Sequence, residues 1–242
     1  MKRIILLLII FISLFSCKQK HIPRTIENLT IQEFDLKGTS IRAIHAINKN
    51  SVYFAGSNGM QGYFFDESKP NSTIQKIVYK DSIVPNFRSL AFNGTNYFVL
   101  SIENPALLYK ITDEKPTIVY TENHEKAFYD AIQFFEDGKH GIAVGDPTEK
   151  CASIILTDDG GNTWKKLSCE NLPVFPEGEA FFAASNTNIK TIGSTVWIAS
   201  GGTKARILKS NDFGQTWQIF NTPIIQGNGP QGIYAMDFYD KN

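Results

Sequence analysis

Short apolar runs recur along the chain, parted by clusters of Gly, Asn, Asp and Pro. Runs of this length between turn signals predict strands. Ala43–Ile47, Ser89–Phe92, Ala131–Phe134 and Ala235–Phe238 align with one another, and Ala183–Ser185 is a looser member of the set. A second strand follows in each unit, at Val52–Gly56, Tyr97–Ser101, Gly141–Gly145 and Val196–Ser200. Turn-rich links come next, at Asn58-Gly59, Asn104-Pro105, Asp146-Pro147 and Gly201-Gly202, and lead to a third strand, a hairpin turn and an outer strand. Acidic residues mark the hairpin turns at Asp66, Asp113, Asp159 and Asp212, spaced 47, 46 and 53 residues apart. Such a period indicates a repeat architecture. The pattern predicts an all-β chain of four-stranded antiparallel units near 40–85, 86–126, 127–178 and 179–231. A fifth unit begins at 232, and Asn28–Leu36 reads as an extra strand before the first.

Two of the hairpins share a motif. Thr157-Asp-Asp-Gly-Gly-Asn-Thr-Trp164 recurs as Ser210-Asn-Asp-Phe-Gly-Gln-Thr-Trp217. Asp159 and Asp212 are placed to accept from backbone N–H groups of their own turn, and Gly161 and Gly214 supply the positive φ the turn needs. Thr157, Ser210, Thr163 and Thr216 complete the polar set, and Trp164 and Trp217 open the returning strands. This motif resembles the Asp-box, or BNR, repeat of sialidase-like, sortilin-like and photosystem II assembly factor-like β-propellers. Asp113-Glu-Lys-Pro is a weaker echo, with Lys115 where glycine belongs, and Asp66 keeps only the acidic residue. The resemblance implies a β-propeller over residues 29–242, with the Asp-box turns on the face opposite the ligand site. Four blades and one further strand do not complete a closed ring of this kind, so the expectation is a C-terminally incomplete propeller.

The first residues read differently. Lys2 and Arg3 precede an apolar run, Ile4–Leu14, that is too short to span a bilayer comfortably and looks like a signal segment. Leu14-Phe-Ser-Cys17 resembles the bacterial lipobox, which implies cleavage after residue 16, a lipid on Cys17 and a tether over 17–28. An ordinary secretory signal with an incidental cysteine is the other reading. A lipid anchor implies a protein held on a membrane of the bacterial envelope, facing the periplasm or the cell surface.

Composition narrows the partners. The chain carries 24 basic and 24 acidic residues, which gives no electrostatic footprint for nucleic acid. No GxGxxG opens a helix after a strand, so no cofactor site is expected, and an oxidoreductase label has no chemistry behind it. No metal site is expected either. Cys151 and Cys169 flank the third hairpin. If Leu156 faces Trp164, the cysteines face each other and can pair in an oxidising compartment. A slip of one residue puts them on opposite faces.

Candidate ligand groups come from repeat position. Arg42, Arg88, Asp130, Phe182 and Tyr234 each stand just before an aligned inner strand, while Asp146, Glu179 and Arg206 fall on the same edge. Arginines presented together suit carboxylate or phosphate recognition. Two readings stand open: a polar site at the channel mouth for a protein partner or a small anion, or salt bridges between blades. The resemblance leads to a non-enzymatic binding or assembly propeller, with a sialidase-like glycosidase as alternative. In the latter, Arg42, Arg88 and Arg206 would hold a carboxylate, Tyr129 and Glu179 would form the nucleophile pair, and Asp130 would be the acid/base. The Arg-Ile-Pro segment of such sialidases has no counterpart beyond His21-Ile-Pro-Arg24.

Overall fold

A computed structural model describes residues 25–29, 31, 33, 35–65, 73–183 and 186–239. The signal segment, Cys17, Asp66 and its turn lie outside the described residues. Among the described residues eighteen strands form four four-stranded meanders and one short pair. The first sheet comprises β1 (Ile41–Asn48), β2 (Ser51–Gly56), β3 (Met60–Phe65) and β4 (Ile74–Lys76). The second comprises β5 (Phe87–Phe92), β6 (Tyr97–Ser101), β7 (Ala106–Thr112) and β8 (Lys115–Glu122). The third comprises β9 (Tyr129–Phe134), β10 (Gly141–Gly145), β11 (Ser153–Thr157) and β12 (Lys165–Lys166). The fourth is interrupted: β13 (Glu179–Ala180) pairs with β16 (Gly201–Gly202), while β14 (Ile189–Ile192), β15 (Thr195–Ala199), β17 (Arg206–Ser210) and β18 (Gln218–Asn221) form the sheet itself.

The core lies between sheets. Ala43, Tyr53, Phe87, Val99 and Leu107 pack the first sheet on the second. Phe98, Leu108, Tyr129, Ala143 and Trp164 pack the second on the third. Ile142, Val144, Ile154, Val196 and Leu208 pack the third on the fourth. Alternate residues of one strand therefore serve different interfaces: Leu107 faces back and Leu108 faces forward. That is why the middle strands read as nearly continuous apolar runs rather than as alternation. The arrangement is a β-propeller of four-stranded antiparallel blades. The inner strands surround a cavity of about 290 Å³ lined by Ile44, Leu90, Ile132 and Ile189, one residue from each blade.

The two hairpins that share the motif have the same wiring. Asp159 Oδ1 accepts from the Asn162 and Thr163 N–H groups at 2.9 and 3.0 Å and from the Thr157 hydroxyl at 2.8 Å. Its Oδ2 takes the Thr163 hydroxyl at 2.7 Å. Asp212 repeats this with Gln215, Thr216 and Ser210. Thr157 and Ser210 hydroxyls in turn accept from Gly161 and Gly214 N–H at 3.0 and 2.9 Å. Gly161 has φ 83°, and a Cβ there would lie 2.4 Å from the Phe98 ring of the preceding blade. Both the backbone conformation and the close approach therefore demand glycine. Trp164 packs against Phe98 and Phe134 at the interface between the second and third blades, so it joins two blades.

Several expectations need correction. Leu156 pairs with Lys165, not Trp164. Cys151 and Cys169 nonetheless form a disulfide, with Cα atoms 5.5 Å apart, because Cys169 leaves the ladder and opens a 3-10 turn over Cys169–Asn171. Asp113 and Glu114 form a two-residue hairpin with φ 48° and 64°, closed by the Thr112–Lys115 pair, unlike the longer turns of Asp159 and Asp212. The expected inner strand at Ala183–Ser185 lies instead at Ile189–Ile192; Ala183 is in a turn and 184–185 lie outside the described residues. Ala235–Phe238 is not a strand, because Ile233 and Met236 donate their N–H groups to Ser200 and Thr187 carbonyls of the fourth blade. Residues up to Leu36 form a separate unit, and none of the described residues of 28–36 is in a strand. Ile26, Leu29 and Ile31 there stay about three-quarters exposed, at 76, 76 and 74%, so burial does not favour a ladder.

Candidate functional site

The residues singled out by repeat position have a common backbone origin. Ile41 pairs with Gly56 but Ala43 with Ala55, leaving Arg42 as an extra residue. Arg88 is extra between the Phe87–Ser101 and Ser89–Leu100 pairs, and Asp130 between Tyr129–Gly145 and Ala131–Val144. Each is the unpaired residue of a β-bulge at the start of an inner strand. A bulge bends the strand and re-aims one side chain, which makes it a recurrent device beside functional sites. Small buried residues follow each bulge, Ala43, Ser89 and Ala131, where the incoming link crowds the neighbouring strand. In the third blade that crowding fixes Gly145, since a Cβ there would come 2.3 Å from the Phe128 carbonyl. In the fourth blade the same position, between Ala180 and Asn188, carries a whole loop.

That loop reaches into the ring. Asn186, at φ 59°, donates its amide to the Leu90 carbonyl at 2.9 Å and accepts from Ile132 N–H at 2.9 Å. It thus bridges inner strands of the second and third blades, satisfying backbone groups that face the channel. Sequence reasoning missed it, because one asparagine in an irregular loop carries no periodic signal.

Meander topology puts the start of an inner strand, the end of the second and the start of the third on one edge. Arg42, Arg88, Asp130, Asp146, Glu179 and Arg206 all lie on it, but they do not form one cluster. Arg206 and Glu179 are locked together. The guanidinium donates from Nε to Glu179 Oε1 at 2.8 Å and from a terminal nitrogen to Oε2 at 2.6 Å. It also donates to the Val174 carbonyl at 2.9 Å, and the Ser200 hydroxyl gives a further bond to Glu179 at 2.5 Å. This pair is buried and spends its hydrogen-bonding capacity within the blade. The disulfide reaches it indirectly: Cys151 bridges Val174 in a β-pair, and Phe175 N–H bonds to the Lys150 carbonyl.

The other four are unspent. Arg42 is exposed and bonds to none of the described residues. Arg88 is half-buried, and its Nε is buried without an acceptor. Asp130 is wholly buried, and neither carboxylate oxygen has a partner. Asp146 gives one oxygen to Phe181 N–H at 2.8 Å. Burial pushes the Asp130 carboxyl well above the usual range, the neighbouring Asp146 carboxylate adds to this, and Arg88 and the nearby Asp146 backbone N–H, itself bonded to the Phe128 carbonyl, oppose it. Burial also pushes Asp146 up to about 6, with the Phe181 N–H opposing. Phe182 and Tyr234 meet as a stacked pair, with ring centroids 4.0 Å apart.

The glycosidase casting does not survive this geometry. Glu179 serves Arg206, whereas Tyr129 donates to Glu122 at 2.7 Å, so the assigned tyrosine–glutamate pair does not form. Glu122 also accepts from Tyr120 at 2.9 Å and from Lys166 at 2.5 Å. This network between the second and third blades was not visible in the sequence. It is fully satisfied and offers no free group. Among the described residues no group of three or more His, Cys, Asp or Glu is placed to hold a metal ion.

No protein-family model matches the sequence, and no curated protein matches it. Among solved structures, the RRP9 WD40 repeats are similar at TM-score 0.52 and 8% identity, over 77% of this chain and 52% of that one. An ancestral GH74 enzyme is similar at TM-score 0.51 and 17% identity, over 77% of this chain and 24% of that one. YCF48 bound to D1 peptide gives a TM-score of 0.42 at 15% identity, over 75% and 80% of the two chains, too low to say more. These likenesses show the propeller fold, and this chain spans about half the length of the WD40 structure.

Proposed function

We propose that this chain is a binding or assembly propeller of the bacterial envelope, held to a membrane through a lipid on Cys17, and that it docks a protein partner at the edge carrying the three bulges. One observation carries the reading. Arg42, Arg88 and Asp130 are bulge residues on successive blades, and their polar groups are not used within the fold. A purely structural network would pair them, as Arg206 and Glu179 are paired. The disulfide fits an oxidising compartment. The absence of the assigned tyrosine–glutamate pair argues for binding rather than glycoside hydrolysis.

Partner capture tests it. Cells producing the full chain, wild type or Arg42→Ala/Arg88→Ala, are cross-linked and the captured proteins compared. Loss of one or more partners in the double variant is expected; an identical set at equal yield overturns the binding edge. Fractionation tests the anchor. Wild type should follow the membranes and Cys17→Ala should not, while equal membrane retention of the two removes the lipid.

A further inference from the structure

The expectation from the arginines was an anion, but the unspent buried groups are mostly acceptors. Asp130 has two orphaned oxygens in a fully buried side chain. Asp146 engages one oxygen with Phe181 N–H, and the other bonds to none of the described residues. Three acceptor positions therefore stand open at the start of β9 and the end of β10. The charged groups acting on Asp130 are Asp146, from the end of β10, and Arg88, from the bulge of β5. Arg88 does not close the site: it makes no ion pair with Asp130, and its own Nε lacks an acceptor. Ionised together, two carboxylates and one guanidinium would leave one negative charge over, and burial avoids this by holding the Asp130 carboxyl toward its neutral form. Ionising it requires a partner charge.

We propose that this end of the channel mouth is a receptor for a primary ammonium group, supplied by a lysine side chain or an α-amino terminus of a polypeptide partner. The match is one of count and charge. An ammonium carries three donors and no acceptor, on a compact centre. Three carboxylate oxygens take those donors once Asp130 releases its proton to solvent, and the single positive charge then balances the site. Asp146 is half-buried and Asp130 lies wholly inside, so the group arrives past Asp146 on a slim chain. An arginine ligand would bring a broad planar fork, with more donors than the site has open acceptors. A carboxylate ligand would meet Asp130 and Asp146 as like charges. Exposed Arg42 remains available at the rim for an acidic neighbour on the same partner.

This inference rests on the bulge-bearing edge being the binding edge, and the experiment separates the two. The purified full chain is titrated with Nα-acetyl-lysinamide, with glycinamide, and with Nα-acetyl-norleucinamide, which lacks the ammonium. Binding is followed by the amide resonances of Asp146 and Phe181. The better of the two amines should bind about tenfold or more tightly than the norleucine compound, as charge-assisted hydrogen bonds require. Which amine it is identifies the source, side chain or terminus. Asp130→Asn and, separately, Asp146→Asn should abolish the preference, while Arg42→Ala should keep it. Equal binding of the amines and the norleucine compound overturns the proposal, as does a preference that survives in a folded Asp146→Asn protein. If partner capture depends on the arginines but no amine binds, the ammonium receptor falls and the binding edge stands. If an amine binds but capture is unchanged in Arg42→Ala/Arg88→Ala, the reverse holds.

Discussion

Asp159 and Asp130 belong to one blade and sit at its opposite edges, and the fold treats them in opposite ways. Asp159 receives two backbone N–H groups and two hydroxyls from its own turn. Asp130 receives no bond of that geometry; the Asp146 backbone N–H acts on it from nearby but is bonded to the Phe128 carbonyl. Some desolvation acts on Asp159, but the Thr163, Thr157 and Asn162 donors outweigh it and hold the carboxyl down to about 2. Burial drives Asp130 the other way. The first carboxylate is a folding device, local and complete. The second is an acid that the rest of the fold leaves without a partner, held toward its neutral form by burial. Structural roles are recognised by satisfied groups and candidate binding roles by unsatisfied ones, even for the same residue type.

The strongest test breaks the paired control on the binding edge. Arg206→Met leaves Glu179 buried without its counter-charge, and unfolding free energy in urea should fall by about 3–5 kcal/mol. A loss well under that would mean the pair is solvated, and the contrast with Asp130 would weaken.

Next comes the turn edge. Asp159→Ala strands two backbone donors in a half-exposed turn and should cost about 1–2 kcal/mol, with Asp212→Ala similar. Thermal melts of both variants check this, and an unchanged midpoint would deny the turns their structural role. At the other edge Asp130→Asn should behave oppositely. It removes the cost of burying an ionisable group without a partner, so stability at neutral pH should hold or rise, by on the order of 1 kcal/mol.

The smallest effect is a difference in slope with pH. Asp159 and Asp212 are held below their unfolded value, near 4. Their contribution is present above about pH 4 and is lost as pH falls, for Asp159 toward 2. Asp146 is raised to about 6, so the folded state holds its proton more tightly. Its contribution is therefore present at low pH and is lost as pH rises from about 4 to 6. Asp146→Asn should flatten the stability curve in that upper window, and Asp159→Asn in the lower one. Urea midpoints measured at several pH values would show whether the two windows separate.

What could be read from the chain alone was whatever its local physics decides. The middle strands β6 and β10 fall at Tyr97–Ser101 and Gly141–Gly145, where their apolar runs lie, because a strand buried on both faces needs an unbroken run. The turns of the shared motif were equally legible, since every bond of Asp159 and Asp212 closes within five residues. The edge shared by Arg42, Arg88 and Asp130 followed from repeat register, which the meander preserves. Tertiary structure decided the rest. The fourth blade's inner strand moved to Ile189–Ile192 because a loop at its bulge position sends Asn186 across the channel to Leu90 and Ile132. The disulfide was reached through a 3-10 turn and not through facing strands. Above all, the division of the polar edge into a closed pair, Arg206 with Glu179, and an open group around Asp130 was invisible in one dimension. Whether a charge finds its partner depends on distances across blades, and repeat position sets height along the channel but not contact between neighbours.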